Sequence, residues 1–312
     1  MDDNKRYTNS VFEEKWWLDT VANGAWDEIT VRDGNNVVAR FAYAKKGKKL
    51  CNPPYTQTMG IWMDESLRTF KKGNSHLHRQ KDIINEIVSR LPKVRNISIT
   101  LDCSNSYVLP FRWKGFRIEP TFSYRLTDLR KEHIDSVIGK TVRKNLKASS
   151  RNLTVDDPSE DYDALLSLIH KTYERQNRKM PYDDELTMNI IRCAVSEGCG
   201  RLLIARDDAG IPHSAAFLVY DERVCYYLLG GQDPDFKSDG SMNLLLLRAI
   251  EFAAGVSSSF DFEGSMIEGI ENFFRQFGGE QVINYHVTRQ SLLNDIFDLL
   301  KPRLKKLLGY KN

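Results

Sequence analysis

The sequence predicts a mixed α+β protein of the α/β class, organised as two domains. Three observations carry this. The chain has 312 residues, long for one hydrophobic core and comfortable for two. Short alternating runs interleave with segments of helical periodicity along its length. The order of elements in the first half recurs in the second, without any direct sequence repeat.

In the first half, SVFEEKWWLDTV carries apolar residues at helical spacing from a candidate N-cap at Ser10 to Val21. WDEITVR and NVVARFAYA alternate, and Asp33-Gly34-Asn35 between them predicts a hairpin. CNPPYTQTMGIW holds Pro53, Pro54 and Gly60, which predict an ordered loop rather than a helix. A long helix follows over 74–91, a strand over 94–101 and another over 116–126, despite Pro120. In the second half, helices are expected over 140–151, 162–178 and 183–196. Strands follow over 201–206, 212–220 and 223–229, the first two joined by Asp207-Asp208-Ala209-Gly210. Then come a helix (241–254), a strand (258–262), a helix (268–277), a strand (281–288) and two closing helices. A boundary between Leu126 and Glu132 gives domains 1–128 and 129–312, with the last helix able to pack back on the first domain.

Bulk composition narrows the function classes. Hydrophobic residues at 41% and charged residues at 28% are globular values. A net charge of +3 is too small to argue for nucleic acid by itself, so local clustering must carry any such claim. MDDNKRYTNS has no apolar core of a secretory signal, and the longest aliphatic run, Leu244 to Leu247, is far short of a bilayer span. Cys51, Cys103, Cys193, Cys199 and Cys225 form no CxxC pair and read as reduced thiols, so the expected location is cytoplasmic. His76 and His78 are a histidine pair without carboxylate or thiolate company, and no metal site is expected.

Three segments carry candidate chemistry. In GGQDPDFKSDGSMNLLLLRAIEFA a strand ends, glycines open a turn, and Lys237-Ser238-Asp239-Gly240-Ser241 leads into a helix. Free N–H groups at the helix start, with Lys237, Ser238, Gly240 and Ser241, suit a donor phosphate; an ordinary N-cap by Ser241 is the competing reading, and Asp239 opposes a tight anion cradle. In SSSFDFEGSM, alternation places Phe260 and Phe262 on one face and Asp261 and Glu263 on the other. Either carboxylate, partly desolvated beside the other, suits the base that amine acylation needs; both bonded to backbone or to Arg275 is the alternative. Gly264 would end that strand and let substrate approach the backbone. Arg275, among Phe273, Phe274 and Phe277, has the charge to steady an oxyanion or phosphate, and Tyr227 the hydroxyl to protonate a leaving group, where a packed tyrosine is the bland alternative. Two basic clusters remain. Lys140, Lys144, Lys147 and Arg151 share a helical face, with Arg143 beside them, and fit a polyanion such as tRNA, a phosphorylated lipid or a nucleotide-sugar, or else a solvated face. The tail KPRLKKLLGYKN suits peripheral contact with an anionic membrane, or leucines docked on the body.

FDFEGSMIEGIENFFRQFGGE resembles the C-terminal signature of the Fem-type peptidoglycan-bridge aminoacyltransferases and the related FemAB-like GNAT acyltransferases. TVRKNLKASSRNLTV is similar to that family's basic helix, KTYERQNRKMP to its Thr-x-x-Arg segment, and NPPYTQTMGIW to the proline-rich loop of its first domain, all in matching order. The resemblance implies tandem GNAT-like domains, each a central, mostly antiparallel sheet flanked by helices, with the chemistry in or near the second. It implies that Arg175 binds acceptor phosphate, and that Arg275 stands where the family has a lysine, keeping charge without a shuttled proton. It implies no permanently bound cofactor, with acyl-CoA or aminoacyl-tRNA as co-substrate. The expected activity is N-acyl transfer from a thioester to an amine of an amino-sugar or cell-envelope precursor, nucleotide- or lipid-linked. Aminoacyl-tRNA-dependent transfer of the peptidoglycan-bridge type is the first alternative; a non-catalytic GNAT-like binding module is the second.

Overall fold

The computed structural model describes residues 6–290 apart from 159 and 265, so the closing helices and the basic tail expected after 290 lie outside the described residues. In chain order the elements begin with α1 (Lys15–Ala22), β1 (Trp26–Asp33), β2 (Asn36–Lys46), β3 (Lys49–Cys51), β4 (Ile61–Met63) and α2 (Glu65–Arg68). Next come α3 (Ser75–Arg90), β5 (Asn96–Leu101), α4 (Leu109–Trp113), β6 (Arg117–Leu126), α5 (Lys131–Val137), α6 (Lys140–Ser149) and β7 (Leu153–Asp156). Then follow α7 (Tyr162–Arg175), α8 (Asp184–Ser196), β8 (Gly200–Asp207), β9 (Pro212–Tyr220), β10 (Val224–Gln232) and α9 (Ser241–Val256). The described chain closes with β11 (Ser259–Asp261), α10 (Glu268–Arg275) and β12 (Glu280–Gln290). The expected helices and strands up to residue 290 are all present. Short elements with little periodicity of their own, such as β3, β4, α2 and α4, went unread.

The described chain forms two compact units, one made of 6–9, 24–120 and 284–290, the other of 10–23 and 121–283. In the first unit the strands run β1-β2-β3-β5-β12, with β4 on β2. Only the β3/β5 pair is parallel among them. Asp33 pairs with Asn36, so Gly34 and Asn35 form the hairpin tip, and Gly34 supplies the positive φ of +56° that the turn needs. The proline-rich loop is ordered by backbone exchange: Met59 N–H donates to Thr100 C=O at 2.9 Å and Asp102 N–H to Met59 C=O at 2.8 Å. Amphipathic α3 buries Ile83, Ile84, Ile87 and Val88, packing on β1.

In the second unit the order is β6-β11-β10-β9-β8-β7, antiparallel except for β10/β11. The central strand β9 is buried from His213 to Val219, which explains its unbroken SAAFLV run. Helices α7 and α9 cover β9 and β10. Asp161 and Asp183 cap α7 and α8 through Ala164 N–H and Leu186 N–H. Ser10 does not cap α1. A 3-10 turn, Val11–Glu13, intervenes, the helix starts at Lys15, and Ser10 is fully buried. The core gathers Leu126, Val142, Leu246, Phe260, Phe262 and Phe277.

Two glycines of this unit have opposite requirements. Gly278 ends α10 at φ +83°, and a Cβ there would lie 2.4 Å from Val137 Cγ2. Gly255 lies within α9 with nothing within 4 Å of its missing Cβ. Gly278→Ala is therefore expected to lose about 2 kcal/mol or more in urea unfolding, and Gly255→Ala to gain about 0.5–1 kcal/mol.

Candidate active site

The second unit's sheet forks. Parallel pairing of β10 with β11 covers only Val224–Tyr226 against Ser259–Asp261, while β10 continues along β9 as far as Gln232. Beyond Asp261 the chain follows β6 instead: Phe262 N–H donates to Tyr124 C=O at 3.0 Å. A β-bulge sits at the fork. Tyr227 pairs with Leu218 and Leu229 with Phe217, so Leu228 is the extra residue. Beside this opening lies a cavity of about 440 Å³.

Its floor is apolar, built from Met242, Ile270, Phe273 and Phe274. Tyr227 points its hydroxyl at Met242 Sδ, 3.8 Å away, and sets its ring edge against Phe274 at 5.9 Å. Gly230 makes room for that hydroxyl, since a Cβ at Gly230 would fall 1.6 Å from Tyr227 Oη. Burial pushes the Tyr227 phenol well above the ordinary tyrosine range, so its proton stays in place through any working pH. Arg175, Arg178 and Lys237 are exposed on the rim, with Ser238 and Gly240 beside them. Asn145, Thr172, Gln176, Gln232 and Asn243 supply neutral polar groups, Asn145 Nδ2 donating to Asn243 Oδ1 at 3.0 Å. Among the described residues, no Asp, Glu, His or Cys lines the cavity. Such a site suits a ligand with an anionic end and an apolar or neutral reacting end.

The structure thus brings together Tyr227, Lys237, Ser238, Gly240 and Arg175 from the sequence-derived candidates. Arg178 and the asparagines were missed. Arg178 lies in the same KTYERQNRKMP segment as Arg175, which was the available signal; Asn145 and Asn243 gave none.

Other candidates are placed elsewhere. Asp261 is buried and its acceptor positions are taken: Arg125 Nε and Nη2 donate to Oδ2 at 2.9 and 2.8 Å, and Ser123 Oγ and the Glu263 N–H donate to Oδ1. It is a scaffold anion, paired with Arg125 rather than Arg275. Alternation stops after it, because Glu263 and Gly264 take φ of +59° and +50°, and neither Asp261 nor Glu263 reaches the cavity lining. Gly264 offers no room to substrate, since a Cβ there would lie 2.2 Å from Phe122 O. Arg275 faces away from the cavity, 3.3 Å from Glu271 Oε1 and donating to Asn272 Oδ1, while Ile270, Phe273 and Phe274 occupy the inward face of α10. Ser241 is fully buried, and its N–H at the start of α9 donates to Asp239 Oδ1 at 2.8 Å. That carboxylate occupies the helix start expected to hold donor phosphate. Arg143 donates to Ile138 O, Asp135 O and Ser136 O, closing the C-terminal end of α5. Lys144 and Lys147 stand exposed on α6 with Lys140 and Arg151.

Residues 136–275 match the acetyltransferase (GNAT) domain family, and every residue lining the cavity falls within that range. The crystal structure of FemX is similar to this chain with a TM-score of 0.69 at 14% identity, covering 94% of this chain and 95% of that one. Residues 136–275 thus form a GNAT acetyltransferase domain, and the chain has a fold similar to that of FemX. That domain makes the chain a transferase of acyl groups in the broad sense. The C-terminal domain of a putative lysylphosphatidylglycerol synthetase from Agrobacterium fabrum is similar at TM-score 0.58 and 13% identity, covering 94% of this chain and 93% of that one. A tandem GNAT protein from the clavulanic acid biosynthesis pathway gives 0.50 at 11% identity, covering 88% and 94%. No curated protein matches the chain. The tandem GNAT-like, mostly antiparallel architecture implied by the sequence is therefore the fold of this chain.

Substituting Asp261 separates its scaffold role from a proton-transfer role. Asp261→Asn leaves the Arg125 guanidinium, whose side chain is 16% exposed, without its counter-charge. The expected loss in urea unfolding is about 3 kcal/mol, whereas a base acting from a stable scaffold would change turnover and leave the melting midpoint in place.

Proposed function

We propose that this chain is an N-acyltransferase that moves an acyl group from a thioester donor to an amine of an amino-sugar or cell-envelope precursor. The observation that carries this reading is the fork between β10 and β11, with a protonated Tyr227 hydroxyl inside it and cations on its rim. The edge of β10 beyond Tyr226 is not taken by β11, so an extended, amide-bearing donor arm can lie along it as a strand would. Arg175, Arg178 and Lys237 then meet phosphate groups, and the apolar floor takes the acyl group.

In the reaction the amine nitrogen attacks the thioester carbonyl carbon, the C–N bond forms and the C–S bond breaks. Tyr227 donates a hydrogen bond to the departing thiolate, which takes up, through water, the proton shed by the nitrogen. With no carboxylate or histidine among the described lining residues, the amine arrives unprotonated in this reading.

A second reading is aminoacyl transfer from charged tRNA. The exposed row Lys140, Lys144, Lys147 and Arg151 favours it, as a surface for a polyanion.

Melting temperature against CoA, acetyl-CoA, longer acyl-CoAs and charged tRNA decides between them, since a ligand at 100 times its Kd stabilises by about 2.7 kcal/mol. A CoA-dependent shift is the expected result. TRNA binding abolished by salt, without a CoA shift, selects aminoacyl transfer, and silence from every donor selects a binding module. With a turning-over substrate pair, Tyr227→Phe should lower kcat about 100-fold. Arg175→Ala with Arg178→Ala should instead raise KM about tenfold and leave kcat nearly unchanged. The pH profile of kcat/KM should rise along the titration of the acceptor amine and show no plateau at the pKa of a carboxylate or histidine.

A further inference from the structure

The first unit carries a surface that the acyl-transfer reading does not use. Its residues 66–81, SLRTFKKGNSHLHRQK, contain no acidic residue, and neither do residues 103–118, CSNSYVLPFRWKGFRI. Each segment exposes a large aromatic side chain where an ordinary soluble surface would bury it: Phe70 is 75% exposed and Trp113 60%, with Leu109 at 50% beside the latter. Lys71 and Lys72 follow Phe70, and Arg112 and Lys114 flank Trp113, all four exposed.

The two segments are held by one framework. Gln80 Nε2 of α3 donates to Leu67 O of α2 at 2.6 Å, and α4 packs on α3. Arg68, Gln80, Ile84, Tyr107 and Phe111 wall a common cavity of about 230 Å³, so the two segments adjoin. Phe70 is not a loose loop tip. Lys71 N–H donates to His76 Nδ1 at 3.3 Å, and the Phe70 ring meets the His76 ring edge-on at 5.8 Å.

We propose that this face of the first unit, Phe70, Leu109 and Trp113 framed by Lys71, Lys72, Arg112 and Lys114, seats the protein on an anionic bilayer. The chemistry on both sides matches. Trp and Phe settle at the level of lipid headgroups, lysine and arginine stems lie along the acyl boundary with their charges in the headgroups, and the missing carboxylates leave the attraction to anionic lipid unopposed. The contact is interfacial: among the described residues no helix is long and apolar enough to cross a membrane. This proposal does not depend on which acyl donor the second unit uses.

The test uses the full-length protein in co-sedimentation with phosphatidylcholine vesicles, with and without about 30 mol% phosphatidylglycerol. Expected is sedimentation with the anionic vesicles that weakens as salt rises, together with a blue shift of tryptophan emission that W113F lacks. F70S/W113S should weaken the partition about tenfold, and K71E/K72E/R112E/K114E about 100-fold or more. These side chains are exposed, so unchanged melting temperatures confirm that the variants fold. Wild-type protein left in the supernatant overturns the proposal. So does an F70S/W113S variant that sediments like wild type, because that result assigns membrane contact to another part of the chain.

Discussion

The buried Asp261–Arg125 pair is the constraint on which the candidate active site depends. With its side chain 5% exposed, a lone carboxylate at Asp261 would be prohibitively unfavourable. It is tolerated because two guanidinium N–H groups, the Ser123 hydroxyl and the Glu263 amide all point at it. Ser123 and Arg125 belong to β6, so this network draws the end of β11 toward β6 and away from β10. Phe262 continues the same pairing through Tyr124. Gly264 allows the next turn to lie directly on the β6 backbone, where any side chain would collide with Phe122 O. The fork is thus an outcome of where one charge had to be neutralised, and the cavity is the space the fork leaves.

Electrostatics around that space follow the same logic. Acids near the site are consumed by the scaffold: Asp233 by Lys171 at 2.5 Å, Asp239 by His213 and the α9 start, and Glu271 by the Tyr124 hydroxyl at 2.6 Å and by Arg275. Lys171, through its hydrogen bond, holds the Asp233 carboxyl below the usual carboxylate range. The cations Arg175, Arg178 and Lys237 stay exposed at the rim. A rim positive by this arrangement, above a floor of Phe and Ile, selects ligands anionic at one end only.

Much of this architecture was legible in the sequence because period and punctuation agree there. The SAAFLV run, the Gly34-Asn35 hairpin tip and the aspartate caps before α7 and α8 each express one local physical preference. The candidate site was legible only in part: Arg175, Lys237 and Tyr227, singled out for their chemistry, line one cavity beside the fork. Asp261 and Arg275 stand outside the cavity lining, and a charged residue beside aromatics looks the same in sequence whether it faces substrate or a protein partner. Arg125, the partner that decides the matter for Asp261, lies 136 positions away in the chain. Arg143 likewise reads as part of a basic stripe, while its guanidinium closes the carbonyls at the end of α5.

The loop from Gln232 to Ser241 extends this argument from statics to readiness. His213 on β9 stacks on Phe236 with ring centroids 3.6 Å apart and nearly parallel planes, and its Nδ1 lies 2.6 Å from Asp239 Oδ2. Gln232 Nε2 reaches both Phe236 O and Ser241 Oγ, and Thr172 Oγ1 exchanges hydrogen bonds with the Gln232 backbone. The anchors of the loop come from the second unit's own sheet and helices, the Asp233 N–H donating to His213 C=O at 2.9 Å among them. Lys237 and Ser238 project from a segment fixed on both flanks, so little ordering remains when a ligand's charged end arrives. The conformational entropy that a phosphate-binding loop would otherwise lose on binding has already been lost in folding, and the Asp239 carboxylate that blocks the helix start is the same group that makes this possible.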